Sequence, residues 1–444
     1  MKAVTVVGAS LAGLYTAREL RAQGFDGRLV VVGAEPHQPY DRPPLSKGFL
    51  MAGSGPAAGE RVADGCGAEG AAFGESAADD APPALAELAL TDSEETAELD
   101  ARWLLGTRAT GLDPRTRSVL LDDGRALESD AVVIATGAHA RRLPGPAHDL
   151  AGVHTLRTLD DARALRADLL RGPCRVVVIG GGFIGAETAS SCVRLGHDVT
   201  VVEAAPLPLV PQLGPELAAV CAGLHRRGGV RLLTGVGVAA LRGSAVRHGE
   251  GARAVRMEST QAVRQVELTD GRTLPADVVV IGIGASPNTA WLRGTSLVLD
   301  DGVVCDAGCL TEVPQVAAVG DVARVGGVRA EHWTSATEQP RVAVRNLLAG
   351  HTVETVSRPS YFWSDQYGSR LQFAGRRGDG ATVRVMEGRS DGAGLPVLGE
   401  EGGEGFLVSY ESGGAVTGVL AVDRPRGFAR ARRVLGRPTA VTGV

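Results

Sequence analysis

The chain has 444 residues, and at about 100–200 residues per domain this length predicts two to four domains. Its content of 44% hydrophobic and 22% charged residues is typical of packed globular domains and excludes a chain that is disordered throughout. A net charge of −5 and an aromatic content of 4% do not favour a nucleic-acid-binding protein.

The sequence also indicates where the protein works. No apolar run reaches the roughly 18 residues of a membrane helix, and the N-terminus lacks the layout of a signal peptide. We therefore expect a cytoplasmic protein that does not bind membranes. The six cysteines form no CxxC pair and no metal-ligand spacing, so we expect reduced thiols and no metal site. The chain could be a monomer or a homodimer.

The N-terminal segment has the pattern of a strand–turn–helix–strand unit. An apolar run at 2–7 leads into the turn Gly8–Gly13 and a helix predicted at 11–22, and a second run at 28–32 is followed by Glu35. In such units the helix N-terminus faces a pyrophosphate, and the acid accepts a hydrogen bond from a ribose hydroxyl. Serine occupies the position of the second glycine. The alternative is a glycine-rich turn of an ordinary α/β protein.

A second copy of this pattern lies near the middle of the chain. A strand at 175–179 precedes Gly180–Gly185, a complete GxGxxG fingerprint, and a helix predicted at 183–195. The next strand, at 198–202, ends at Glu203. Because a carboxylate here accepts hydrogen bonds from a ribose and repels a 2′-phosphate, the sequence favours NAD over NADP.

The two copies share further features that predict the fold class. Buried strands at 131–135 and 278–283 each follow an Asp-rich hairpin. From about residue 357, short apolar runs alternate with glycine turns and precede an arginine-rich helix predicted at 427–435. We therefore predict an α/β protein with two Rossmann-like dinucleotide-binding domains and a C-terminal α+β domain.

Residues 51–98 do not fit this plan. They contain 14 Ala, 7 Gly and 11 acidic residues against a single basic residue, Arg61. This composition lacks the apolar periodicity that would stabilise a packed element, and it predicts a mobile insertion. The rest of the chain carries a net charge of +5.

Several motifs together resemble one family. The loop Asp41–Lys47 has two prolines that fix its backbone and two basic residues, and it belongs to the stretch Pro39–Phe49. With Gly320–Val322, Glu331–Trp333 and Tyr361–Tyr367, it resembles the FAD-dependent, NADH-using ferredoxin reductases that serve cytochrome P450s and aromatic-ring dioxygenases. These have the two-dinucleotide-domain fold of glutathione reductase. The resemblance covers residues 1–50 and 99–435.

The resemblance implies the domain boundaries and the residues of the sites. We expect an FAD-binding domain at 1–147 and 286–345, with the insertion at 51–98, an NADH-binding domain at 148–285 and the C-terminal domain at 357–444. The residues implied for FAD are Gly8, Ser10, Leu11, Ala12, Gly13, Glu35, Arg42, Lys47, Ala109, Arg141, Gly320, Asp321 and Trp333. Those implied for the NADH path are Gly180, Gly182, Phe183, Ile184, Gly185, Glu187, Glu203 and Gly284, with Glu338 beside the ring system.

Three of these residues are implied to tune the flavin: Lys47, Glu187 and Trp333. A cation at Lys47 would stabilise an anionic reduced flavin. Glu187 could instead be an acid that only favours a helix N-terminus, and Trp333 could be a residue of the packed core. These alternatives stay open from the sequence.

The resemblance implies that NADH passes a hydride to FAD, which releases single electrons to an acidic [2Fe-2S] ferredoxin serving a P450 or an oxygenase. Three other functions are compatible with the fold. A disulfide or peroxide reductase would need a redox thiol beside the flavin, whereas residue 46 is serine. A biosynthetic flavoenzyme could oxidise a small molecule directly, which only the insertion supports. A slow NADH-sensing flavoprotein is the third.

Overall fold

The computed structural model describes residues 1–52, 85–145, 149–245, 261–357, 359–378, 380–399 and 405–435. The chain divides into two compact units. The first unit contains 1–41, 84–139 and 285–362, and the second unit contains 42–83, 140–284 and 363–444. Within the described residues, no helix combines the length and the apolar character that a membrane span requires.

The helices of the described residues are, in chain order, α1 Leu11–Ala22, α2 Gly48–Met51, α3 Leu85–Leu88, α4 Ser93–Glu98, α5 Leu159–Leu169, α6 Phe183–Arg194, α7 Val210–Arg227, α8 Trp333–Ala349 and α9 Pro425–Arg432. Short 3-10 turns lie at Pro43–Ser46, Ala290–Leu292 and Gly320–Val322.

The strands are, in the same order, β1 Ala3–Val7, β2 Arg28–Gly33, β3 Ala101–Leu105, β4 Ala109–Asp113, β5 Ser118–Leu121, β6 Ala126–Glu128, β7 Ala131–Ile134, β8 Ala138–Ala140, β9 Val153–Thr155, β10 Arg175–Ile179, β11 Asp198–Glu203, β12 Arg231–Thr234, β13 Val238–Ala245, β14 Gln261–Leu268, β15 Thr273–Pro275, β16 Val278–Ile281, β17 Ala285–Pro287, β18 Val303–Cys305, β19 Val316–Ala318, β20 Ala323–Val325, β21 Val328–Arg329, β22 Tyr361–Gln366, β23 Ser369–Gly375, β24 Thr382–Glu387, β25 Phe406–Ser412 and β26 Ala415–Val422.

The first unit is built on a parallel five-stranded sheet with the order β19-β7-β1-β2-β3. Its central strands are runs of valine that are buried on both faces, as is typical of parallel strands. Helices α1 and α8 cover one face. The hairpin strands β4 to β6 and the strand β18 contribute to the apolar cluster on the other face.

The second unit contains a sheet of the same kind and the C-terminal domain. The parallel order is β12-β11-β10-β16-β9, and the antiparallel strands β13, β14 and β15 pack against it. The C-terminal sheet is antiparallel, with the order β22-β23-β26-β25-β24, and α9 packs on it. The predicted α/β class, with two Rossmann-like sheets and a C-terminal α+β domain, is confirmed.

Part of the segment predicted as a mobile insertion at 51–98 is packed. Residues 53–84 lie outside the described residues. Arg18 of α1 forms an ion pair with Glu95 at 2.5 Å and donates a hydrogen bond to the Leu90 carbonyl at 2.8 Å. The Asp41 amide donates to the Leu88 carbonyl at 2.8 Å. These contacts hold residues 88–95 against the rest of the first unit, and the mobility of 51–98 stays a prediction.

Candidate functional site

The first glycine turn lies tightly against the backbone of the sheet and precedes α1. Gly8 has φ +121°, and a Cβ built on it would lie 2.1 Å from the Ala135 carbonyl oxygen. A Cβ on Gly13 would lie 1.8 Å from the Gly8 carbonyl oxygen. Neither position therefore accepts a side chain. Ser10 is the N-cap, and its hydroxyl caps no helix N–H among the described residues. The first N–H groups of α1 can therefore bind an anion.

Glu35 lies just beyond the end of β2, where the sequence predicts a ribose-binding acid. The Tyr40 hydroxyl donates a hydrogen bond to Glu35 Oε2 at 2.5 Å, and Tyr40 is almost fully buried. This contact orients one carboxylate oxygen. Sequence reasoning did not identify Tyr40 as a partner of Glu35, although it lies in the family-specific stretch Pro39–Phe49.

Gly320 and Asp321 form a turn directly against the first glycine turn. Gly320 has φ +73°, and a Cβ there would lie 3.0 Å from the Cβ of Ala12. The Gly320 amide donates to Gln339 Oε1 at 2.7 Å. Arg329 donates to the Asp321 carbonyl at 3.2 Å. The structure therefore brings together two groups of predicted FAD residues within the first unit.

Arg329 is held by acids on both sides. Its side chain is 10% exposed and forms ion pairs with Asp301 at 3.1 Å and with Glu331 at 2.6 Å. Sequence reasoning did not identify Arg329, because the motif Glu331–Trp333 gives no sign that a neighbouring arginine fixes the Asp321 turn.

Trp333 begins α8 and is half-buried. Its indole N–H donates to Asp41 Oδ1 at 3.0 Å, and its ring packs edge-on against Tyr15 with centroids 6.4 Å apart. The hydrogen bond fixes the orientation of the ring, so Trp333 is held by more than apolar packing.

Ala109, another predicted FAD residue, begins β4 opposite Leu121.

Glu338 lines a cavity of about 310 Å³ in the first unit. The same cavity is lined by Thr334 and Ser335 of α8 and by Val325 and Val328 of the β20–β21 hairpin.

The second glycine turn, in the second unit, has the same sterics as the first. Gly180 has φ +103°, and a Cβ there would lie 2.3 Å from the Gly282 carbonyl oxygen. A Cβ on Gly185 would lie 2.1 Å from the Gly180 carbonyl oxygen. At Gly182, the N-cap of α6, a Cβ would meet no described atom within 4 Å. The turn is therefore closed toward the sheet and open at the helix N-terminus.

The carboxylate of Glu203 is oriented by the backbone of the second glycine turn and by the residues just after it. Its Oε2 accepts a hydrogen bond from the Gly181 amide at 2.8 Å, and its Oε1 accepts one from the Ala205 amide at 2.8 Å. Phe183 and Ile184 are the first residues of α6, and Ile184 is exposed. This places the predicted residues 180–187 and Glu203 at one end of the parallel sheet of the second unit.

Glu187 is the centre of a buried polar cluster in the second unit. Only 3% of Glu187 is exposed. Its Oε2 pairs with Lys47 Nζ at 2.8 Å and accepts the Ser46 hydroxyl at 2.6 Å, and its Oε1 accepts the Ser364 hydroxyl at 2.7 Å. Glu187 is therefore not a solvated acid at a helix N-terminus, and its partners come from two distant parts of the chain, the loop at 46–47 and strand β22.

Three further predicted residues also lie in the second unit. Arg42 donates to the Arg157 carbonyl at 2.6 Å. The Arg141 amide donates to the Gly284 carbonyl at 2.9 Å, and Gly284 has φ +98°. The first contact orients the Arg42 side chain, and the second joins the backbones of Arg141 and Gly284.

The chain is similar to proteins of known activity over nearly its whole length. The family model described as pyridine nucleotide-disulphide oxidoreductase matches residues 2–340, and the model described as reductase C-terminal matches residues 361–443. A chlorobenzene dioxygenase ferredoxin reductase component from Cupriavidus sp. (strain PS12) is 35% identical, over 99% of this chain and 93% of the relative. Putidaredoxin reductase from Pseudomonas putida is 32% identical, over 97% and 91%.

A solved structure extends the similarity to three dimensions. The covalent putidaredoxin reductase–putidaredoxin complex contains a chain that aligns with a TM-score of 0.79 and 31% identity. The alignment covers 98% of this chain and 92% of that chain.

Proposed function

Because this chain belongs to the pyridine nucleotide-disulphide oxidoreductase family and has its reductase C-terminal domain, we propose that it is a ferredoxin reductase. It takes two electrons from NADH through FAD and delivers them singly to a [2Fe-2S] ferredoxin, which serves a P450 or an oxygenase. One NADH and two oxidised ferredoxins give NAD⁺, one proton and two reduced ferredoxins.

Membership of the family implies FAD and a nicotinamide dinucleotide. The observation that carries the proposal is the repeated turn, in which Gly8 and Gly180 have no room for a Cβ and a helix begins directly after each turn. These two cradles fit two pyrophosphates, one in each unit. The resemblance assigns FAD to the first and NADH to the second.

Bound FAD would accept a hydride and release single electrons. Among the residues that would serve it, Lys47 provides a positive charge, and the buried Glu187 carboxylate holds that ammonium at 2.8 Å. The Asp321 carbonyl accepts a hydrogen bond from Arg329, and the Trp333 indole N–H donates one to Asp41. The chain therefore supplies binding, orientation and charge.

NADH rather than NADPH is the proposed donor. Glu203 has both carboxylate oxygens oriented by backbone amides. Residues 204–213 contain no lysine or arginine that could pair with a 2′-phosphate. A phosphate brought against this carboxylate would be repelled.

The thiols argue against a disulfide or peroxide reductase. Five of the six cysteines lie in the described residues, and all five are free. Burial raises the pKa of Cys192, Cys221 and Cys305 to about 12, and it also raises the pKa of Cys174 and Cys309. Since the thiolate is the reactive form, these thiols are poor nucleophiles at neutral pH.

A steady-state assay distinguishes ferredoxin reduction from the other functions. The purified protein should contain about one non-covalent FAD and should reduce an acidic [2Fe-2S] ferredoxin with NADH faster than it reduces oxygen. Ferricyanide serves as the positive control for flavin reduction. A protein that reduces ferricyanide but no ferredoxin would favour the biosynthetic flavoenzyme. A protein that turns over slowly with every acceptor would favour the NADH sensor.

A further inference from the structure

A continuous line of hydrogen bonds joins the C-terminal domain to Lys47. The Gln366 side-chain amide donates to Ser364 Oγ at 3.0 Å, which directs the Ser364 hydroxyl hydrogen toward Glu187 Oε1 at 2.7 Å. Glu187 Oε2 then holds Lys47 Nζ at 2.8 Å. Ser364 and Gln366 are both buried and lie on the same face of β22.

The end of β22 is itself fastened to the helices of the second unit. The Tyr367 amide donates to Ser190 Oγ on α6 at 2.8 Å. The Tyr367 hydroxyl shares a hydrogen bond with His225 Nδ1 on α7 at 2.8 Å. Ser364 is therefore held at a fixed distance from α6, the helix on which Glu187 lies.

The carboxylate of Glu187 depends on its hydrogen-bond donors because it is buried. Its Oε2 has two donors, the Ser46 hydroxyl and the Lys47 ammonium, whereas Ser364 is the donor found for Oε1. Loss of a donor to a buried charged group costs more than loss of a neutral hydrogen bond. We expect that without the Ser364 hydroxyl the carboxylate turns about the contacts of its Oε2, and that the Lys47 ammonium, which also donates to the Pro43 carbonyl at 3.2 Å, shifts with it.

We propose that Ser364 is a positioning residue that acts through Glu187 to fix the Lys47 ammonium. The inference rests on the proposed function, since it assumes that Lys47 adjusts the bound flavin. It gives the C-terminal domain a part in the reduction of the flavin by NADH, a step in which the acceptor protein takes no part.

The test compares the full-length Ser364→Ala holoenzyme with the unmodified holoenzyme. We expect the variant to retain FAD, to reduce its flavin with NADH about tenfold more slowly in stopped-flow measurements, and to have a more negative flavin midpoint potential. Ser364→Thr, which keeps a hydroxyl, should restore most of both quantities. The matched control is Ser409→Ala, which removes another buried hydroxyl of the same C-terminal sheet, 3.1 Å from Glu411. It should change neither quantity.

A double-mutant cycle separates positioning from a general structural effect. In a Glu187→Gln background, Ser364→Ala should change the rate of flavin reduction by less than twofold. It should leave the midpoint potential essentially unchanged. Equal effects in both backgrounds would overturn the proposal. A Ser364→Ala enzyme whose flavin midpoint potential equals that of the unmodified protein would also overturn it.

A second variant covers the case in which Ser364→Ala loses its FAD. Gln366→Leu removes the amide that directs the Ser364 hydroxyl, and we expect smaller changes in the same directions. No change with Gln366→Leu, together with FAD loss from Ser364→Ala, would make Ser364 a structural residue and contradict the proposal. If the unmodified protein binds FAD and NADH but reduces no ferredoxin, the proposed function fails, whereas these comparisons still decide the role of Ser364.

Discussion

Burial shifts the titration of the histidine His225 in the second unit. His225 is 2% exposed, and burial lowers its pKa to about 4. Its Nδ1 shares a hydrogen bond with the Tyr367 hydroxyl, whose pKa burial raises. Above pH 5 the imidazole is therefore neutral in the folded protein, whereas in the unfolded chain it takes up a proton near pH 6.5.

This difference predicts how stability depends on pH. Between pH 6.5 and pH 4 the unfolded chain binds a proton that the folded protein excludes, so stability falls as the pH falls through that range. His225 alone should cost about 2 kcal/mol between pH 7 and pH 5. Chemical denaturation at both pH values checks this, because His225→Asn should lose that part of the dependence. The exposed His351, replaced by Gln, is the control, and a His225→Asn protein with the dependence unchanged would contradict the assignment.

Glu203 predicts the choice of nicotinamide cofactor. The unmodified protein should prefer NADH over NADPH by roughly 10²-fold in kcat/KM, since a 2′-phosphate against the carboxylate costs a few kcal/mol. Glu203→Ala should narrow this preference, chiefly by lowering the KM for NADPH. Steady-state kinetics with both cofactors give the measurement. Equal use of the two by the unmodified protein would show that Glu203 does not lie against the ribose.

At the scale of residues, the sequence predicted those positions at which the backbone conformation itself decides which residue type is possible. Gly8 and Gly180 could be identified because a positive φ and a close backbone approach need glycine whatever the rest of the fold does. Tyr40, Arg329 and Ser364 could not be identified. Ser364 acts on Glu187, which is 177 residues away and comes near only in the folded chain. The partners of Tyr40 and Arg329 are close in the sequence, but these contacts depend on loop geometry that no residue pattern marks.

At the scale of elements, substitutions at two glycines of the second turn should have different effects, one on folding and the other on NADH binding. Gly180→Ala adds a Cβ at φ +103° and 2.3 Å from a carbonyl oxygen, so we expect it to unfold the turn and lower the melting temperature. Gly182→Ala adds a Cβ at φ −68° with no described atom within 4 Å, so the fold should be kept. Its methyl group would occupy the open helix N-terminus and raise the KM for NADH.

Thermal melting followed by NADH kinetics of the two variants checks this prediction. If Gly182→Ala destabilises the protein as much as Gly180→Ala does, the space at the N-terminus of α6 is filled by the protein itself. A second dinucleotide would then not fit there.

The bounds of the elements follow from apolar runs and turn residues. The helix α1 has the predicted bounds 11–22, and β10 has the predicted bounds 175–179. The helix predicted at 427–435 is instead Pro425–Arg432, because proline at an N-terminal position is favourable and the sequence reasoning began the helix too late. The packing of residues 88–95 does not follow from the composition of 51–98, since it depends on Arg18, which lies far away in the sequence.

At the scale of the whole molecule, the excess of positive charge outside 51–98 predicts how the ferredoxin is recruited. On and beside α9, Arg426 and Arg433 are exposed, whereas Arg430 is paired with Glu387 at 2.8 Å. A basic surface raises the association rate of an acidic partner, and salt screens this attraction over about 8–10 Å. The alternative is an arginine-rich helix that is merely solvated.

Turnover at sub-saturating ferredoxin should therefore fall as salt rises from about 0.02 to 0.3 M. Charge reversal at Arg426 and Arg433 should raise the KM for ferredoxin several-fold and leave NADH-dependent flavin reduction unchanged. An uncharged quinone acceptor controls for effects on the flavin, and reversal at the exposed Arg163 of α5 controls for net charge. If neither salt nor reversal alters ferredoxin turnover, the cluster is not a docking surface.

The contact between Gly228 and Tyr367 constrains how this protein can evolve. Gly228 has an ordinary φ of −76°, yet a Cβ on it would lie 2.2 Å from the Tyr367 ring. The glycine is therefore required by its neighbour and not by its backbone. A lineage that first exchanges Tyr367 for a smaller residue makes position 228 neutral to substitution, whereas one that first changes Gly228 displaces the aromatic ring. The two positions should vary in that order only, so the mutational history of the site is directional.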